Sequence, residues 1–202
     1  MSGTSEQAPL TRRRGSALTR AIYLTTLEEL ARTSFEELSF DKIAAKAGAG
    51  KASLYRRWST PAELVLAALT DPVSGFPAVV APGTGSLRGD LTAVLSGFGK
   101  ALDEPHGRAL RPLMTQRPRH PELYEEVFRR VVEPHQDMLL LALRDAVGRG
   151  EADPAAPHHR IATVGLSLVI MEHIQTGELT RSQMEGVVDD VMLPLAAPSA
   201  RY

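Results

Sequence analysis

The chain has no cysteine. Disulfides and thiolate catalysis are thereby excluded, which fits a reducing compartment. Aromatic residues are scarce: one Trp, four Tyr and five Phe in 202 residues. No apolar run reaches the roughly 18 residues needed to span a bilayer. The polar N-terminus lacks the hydrophobic core of a secretion signal. These absences predict a cytoplasmic protein with no membrane partner. Period-two alternation is absent, so no strand is expected.

Motifs of chemistry are equally thin. None of the histidines (His106, His120, His135, His158, His159, His173) has a partner at H-x-x-x-H spacing, which leaves a metal site without support. Gly48-Ala49-Gly50-Lys51 superficially suggests a phosphate-binding loop. Ala45 and Ala52 stand where that motif needs Gly and Ser or Thr, and no strand precedes it. Gly165 to Val169 lacks the final Gly of a nucleophile elbow. No catalytic residue, metal or cofactor is expected.

What is present is an asymmetry of charge. The chain as a whole carries −1. Residues 1–60 hold ten Lys/Arg against six Asp/Glu, net +4, and residues 61–202 hold thirteen against eighteen, net −5. A basic head on an acidic body fits a nucleic-acid reader joined to a sensing or assembly domain.

The head contains SFDKIAAKAGAGKASLYRRW, Ser39 to Trp58. Ser39 is a good N-cap, since its hydroxyl accepts from a free N–H of the first turn. Phe40, Ile43, Ala44 and Ala47 recur at helical spacing. Gly48 stands where a helix end favours φ > 0. Lys51 to Arg57 then forms a second short helix with Leu54 and Trp58 inward. Two helices around a glycine turn are a helix-turn-helix pattern. Lys51, Tyr55, Arg56 and Arg57 suit phosphates, while Ala49, Gly50, Ala52 and Ser53 are small enough to approach base edges.

This stretch resembles the DNA-binding domain of TetR-family transcriptional regulators. The matching residues are Phe35, Ser39, Ile43, Ala44, Ala47, Gly48, Lys51, Leu54, Tyr55, Arg56, Trp58, Glu63 and Leu64. Three departures stand out. Ser34 occupies a corner usually held by Gly, which implies a φ > 0 cost. Gly50 replaces the usual Ser cap of the reading helix. Pro61 replaces a Lys that usually meets a phosphate.

Around that stretch, residues 1–15 read as a disordered basic arm in which Arg12, Arg13 and Arg14 could reach DNA. Ser16 to Thr33 reads as the first helix, and 16–60 as the DNA-binding domain. Thr60, Pro61 and Glu63 start the next helix. Residues 61–202 read as a helical effector-binding and dimerisation domain. Asp71 to Asp90 is a Pro- and Gly-rich loop. Further helices are expected over 91–102, 106–116, 121–148 with a kink at Pro134 or a helix start one residue before it, 158–175, and from Thr180 onward. The whole is predicted all-α, with about nine helices.

The last two helices are apolar over more than one face, and one short reading helix spans few base pairs. Ile161, Val164, Gly165, Leu168, Met184, Val187, Val188, Val191 and Leu195 are therefore expected to pair with a second copy. Such a two-fold dimer reads a palindromic double-stranded operator through major grooves about 34–36 Å apart. The resemblance points to the same helices. It also implies a small, largely apolar effector that releases a repressor from DNA, and Leu110, Leu113, Met114, Phe128, Val131, His135, Met138 and Met171 are the candidate lining. An effector-independent helix-turn-helix protein is the alternative reading, and a small helical enzyme a more distant one.

Overall fold

The computed structural model describes residues 8–198, with side chains from residue 15 onward. Among the described residues there is no strand, and nine helices make the fold all-α. They are α1 (Ala8–Arg32), α2 (Phe40–Ala47), α3 (Lys51–Tyr55), α4 (Pro61–Leu69), α5 (Leu87–Asp103), α6 (Pro105–Met114), α7 (121–149), α8 (His159–Thr176) and α9 (181–196). No helix among these residues is long and apolar enough to cross a membrane.

Local chemistry explains most boundaries. The hydroxyls of Ser39, Thr60, Ser86 and Thr180 accept from the backbone N–H three residues on, each cap stabilising its helix by about 1 kcal/mol. At Thr180 the Gln183 side chain returns the bond and completes a capping box. Gly48, Gly150 and Gly177 close α2, α7 and α8 in the left-handed region, at φ of 65°, 77° and 82°. His158 caps α8 with its ring, accepting from Arg160 N at 3.1 Å.

Three places depart from the sequence reading, one being α5, which begins at Leu87 inside the expected 71–90 loop. The first helix begins at Ala8, not Ser16. Pro9 is tolerated in a first turn, and Ala, Leu and Arg are strong helix formers, so the helix extends through the stretch assigned to an arm. Arg12, Arg13 and Arg14 therefore lie on helical backbone, while their side chains and residues 1–7 fall outside the described residues. Ser34 is extended, at φ −113° and ψ 167°, so the corner carries no left-handed cost.

α7 and α9 each contain an internal proline, and both relieve it in the same way. A π turn over Phe128–Val132 precedes Pro134, and another over Val187–Met192 precedes Pro194. Proline removes an N–H and crowds the carbonyl four residues back, and the wider turn makes room for it. The helices continue through both sites.

In the head, α1 lies behind α2 and α4 and buries Ile22, Leu27 and Leu30 with Ile43, Leu54 and Leu64. Thr26 is buried on the same face, its hydroxyl donating to Ile22 O at 2.7 Å. Trp58 is buried against α1, edge-on to Tyr23 at 5.8 Å. In the body, α5 packs on α6, α7, α8 and α9. Head and body meet where α1 lies along α6 and α4 approaches the start of α7.

Candidate nucleic-acid interface

The reading surface is built from two caps and one turn. Ser39 Oγ accepts from Lys42 N at 3.3 Å and fixes the start of α2. At the other end Gly48 lets the chain reverse, and Ala49 N donates to Ala44 O at 2.9 Å. Gly50 starts α3 without a side-chain cap, as its lack of a hydroxyl requires. Only Leu54 and Trp58 of this segment are buried, which anchors the reading helix to the head. Lys51, Ala52, Tyr55, Arg56 and Arg57 are exposed, and Ser53 is half-buried.

Tyr55 is 61% exposed, yet its ring stands edge-on against Phe40 at 4.8 Å. That contact limits the arcs open to the phenol and aims it away from the core. The cations are less free than the sequence suggests. Lys51 Nζ lies 2.6 Å from Asp41 Oδ2. Arg57 turns back, donating to Thr19 Oγ1 at 2.6 Å with its guanidinium over the Trp58 ring at 5.9 Å. Arg56 makes no ion pair among the described residues. The sequence reading missed Asp41, Phe40 and Thr19 as partners, because each pairing crosses between helices.

A charged joint lies behind this surface. Glu29 on α1 is only 7% exposed and meets Lys46 of α2 and Arg32, the latter at 2.9 Å. The hydrogen bond from Lys46 holds the Glu29 carboxyl below its ordinary range, with Arg32 adding to the effect and burial opposing it. The joint ties α2 to α1.

The effector residues named from sequence do not converge. Leu110, Leu113 and Val131 are fully buried core, Met114, Phe128 and Met138 are partly buried, and Met171 is 51% exposed on α8. Among those eight, Val131 and His135 line one cavity of about 220 Å³ under the α4–α5 connection. A larger cleft of about 570 Å³ lies at the junction of head and body, between Phe35, Leu66 and the start of α7. Arg119 there meets Glu36 at 3.2 Å, and His120 meets Phe35 edge-on at 4.7 Å.

The dimer residues also divide. Met184, Val187 and Val188 are buried within this chain's own core, and Met184 Cε covers Gly99 of α5. Gly165 is covered by the Met192 side chain. These four are not available to a second copy, contrary to the sequence reading. Apolar periodicity marks burial but not which partner buries. Val164 and Leu195 are 36% and 53% exposed, and Ile161, Leu168 and Val191 are half-buried. Met171 continues the 161–164–168 spacing and belongs with this outward face rather than with a pocket.

Both parts of the chain resemble known proteins. Residues 22–68 match the family described as bacterial regulatory proteins, tetR family, and residues 81–191 match the tetracyclin repressor-like C-terminal domain. A DNA-binding transcriptional repressor TetR of Mycobacteroides abscessus is 33% identical over 189 residues, covering 93% of this chain and 98% of that protein. An uncharacterized HTH-type transcriptional regulator of Mycobacterium bovis is 31% identical, covering 84% and 83%. The crystal structure of a TetR family transcription regulator superposes with a TM-score of 0.62 at 23% identity, covering 89% of this chain and 99% of that one.

Proposed function

The chain belongs to the TetR family of non-enzymatic, DNA-binding transcriptional regulators, and from that premise we propose that it is a dimeric repressor released from a palindromic operator by a small molecule. The head over 16–60 reads DNA. The body over 61–202 dimerises and carries the effector site. The observation that carries this reading is the exposed α3 surface, anchored by Leu54 and Trp58 and set beside an α2 that Lys46 and Glu29 tie to α1.

In this reading Ser39, Lys51, Tyr55 and Arg56 meet phosphates. Lys51 leaves Asp41 to do so, at little cost because both groups are exposed. Arg57 acts mainly as a strut to Thr19 and Trp58. Ala49, Gly50, Ala52 and Ser53 lie at the groove and set base preference. Arg12, Arg13 and Arg14 add positive charge to the head. Ile161, Val164, Leu168, Met171, Val191 and Leu195 form the face toward the second copy.

Release follows as a population shift. A ligand that prefers the head spacing unsuited to DNA weakens binding by the ratio of its affinities for the two states. Selection of bound duplexes from a random pool tests the DNA reading. A two-fold symmetric consensus with half-sites about one helical turn apart is expected, and no enriched sequence would refute the reading.

A further inference from the structure

The connection between α4 and α5 folds over the body. Gly75 N donates to Asp71 O at 2.9 Å, and Phe76 N donates to Leu69 O at 2.8 Å. A Cβ on Gly75 would lie 2.2 Å from the Leu69 carbonyl oxygen, so this turn requires glycine. The turn drives Phe76 inward, where its ring stacks on Phe98 at 6.2 Å and meets His106 edge-on at 4.7 Å. Beside Phe76 lies the cavity of about 220 Å³, bounded on its far side by the π turn of α7 and Pro134. Its walls include the planar ring of Phe76 and the aliphatic rings of Pro72, Pro77 and Pro134. π turns of this kind occur often at functional sites.

Three side chains of this cavity carry polar groups, and His135 is the one left with an open position. Arg130 Nε lies 2.9 Å from Glu126 Oε2, a carboxylate that it shares with Arg129. Thr70 donates its hydroxyl to Leu66 O at 2.8 Å. His135 is buried and packed on Phe98 at 4.5 Å between ring centres. Its Nδ1 lies 2.8 Å from Val131 O. A carbonyl only accepts, so Nδ1 carries the hydrogen. Burial lowers the pKa of the ring and keeps it neutral. Nε2 is then a lone-pair acceptor, and no donor among the described residues meets it.

We propose that this cavity binds an uncharged planar aromatic molecule bearing a hydroxyl, with the O–H donating to His135 Nε2 and the ring lying among Phe76 and the prolines. The inference rests on the effector reading above and gives that effector a chemical class. An anion would set its lone pairs against the lone pair of His135 Nε2, and a saturated ring of the same size gains less against the Phe76 face. The cavity is smaller than the usual range for ligand sites, roughly 300–1,000 Å³, so the occupant is small or displaces Phe76. Displacement would act directly on the head. The strap is tied to Leu69 in the last turn of α4, and α4 is the helix that leaves the head.

Calorimetric titration of the full-length protein with 2-naphthol and with 2-methoxynaphthalene tests the proposal. The two share a ring system, and only the first can donate. The expected result is at least tenfold tighter binding of 2-naphthol. That preference should vanish in His135→Phe and return in His135→Gln, which restores an acceptor. Equal affinities for the two compounds, or no heat from either at millimolar concentration, would overturn the proposal without any variant. The same titration in the presence of operator separates the two readings. Selective 2-naphthol binding that leaves operator affinity unchanged would keep the site and refute ligand release.

Discussion

Lys51 of the reading helix and Asp41 of the helix before it face each other across the turn, Nζ to Oδ2 at 2.6 Å. Both side chains are more than half exposed, so the pair contributes little to stability. It matters instead as competition, because Asp41 occupies the ammonium that phosphate needs and repels phosphate itself. Asp41→Asn should therefore tighten operator binding by about two- to fivefold, the equivalent of ~0.5–1 kcal/mol. Fluorescence anisotropy at fixed salt measures this. Unchanged or weaker binding would mean that Asp41 does not lie near the DNA backbone.

Glu29 and Lys46 make an acid-sensitive joint. The folded-state pKa of Glu29 lies below its ordinary value of 4.5. Its contribution is therefore complete above that value and is lost as pH falls through the folded pKa. Thermal melts across the acid range should show the wild type losing stability more steeply than Glu29→Gln. Lys46→Met leaves a buried carboxylate short of a partner and should cost about 1–3 kcal/mol. Identical acid limbs for wild type and Glu29→Gln would remove this joint from the account.

The outward apolar face of α8 and α9 gives a prediction about assembly. Met171→Glu with Leu195→Glu should shift sedimentation from dimer to monomer and leave helicity unchanged, since both side chains are more than half exposed. Met184→Ala should instead lower stability by about 2–5 kcal/mol with the dimer retained, because Met184 fills its own chain's core. Dimer loss in the second variant and not in the first would reverse the assignment.

Much of this fold was legible in local chemistry. Ser39, Thr60 and Thr180 cap as their hydroxyls require, and Gly48 and Gly177 take the left-handed turns that favour glycine. Such signals need only three or four neighbouring residues, so a single sequence carries them. What it does not carry is how helices meet. Met171 and Met184 occupy similar apolar helical patterns, yet one faces outward and the other covers Gly99. Arg57 looked like a phosphate contact until its partner Thr19, 38 positions away, was in view. The inward turn of Phe76 was hidden for the same reason, in a stretch whose Pro and Gly content reads as an open loop. His135 was among the candidate lining residues, but the acceptor it presents depends on the Val131 carbonyl and on burial.

The central claim is that α3 holds DNA through its own cations and not through charge in general. Operator titration against salt concentration for wild type, Lys51→Ala and Lys100→Ala tests it most directly, since Lys100 is an exposed lysine of the body and matches the change in net charge. Lys51→Ala should bind about three- to tenfold more weakly, with a salt slope shallower by about 0.9, and Lys100→Ala should match the wild type. Equal binding by Lys51→Ala and wild type, or equal losses in both variants, would contradict the claim.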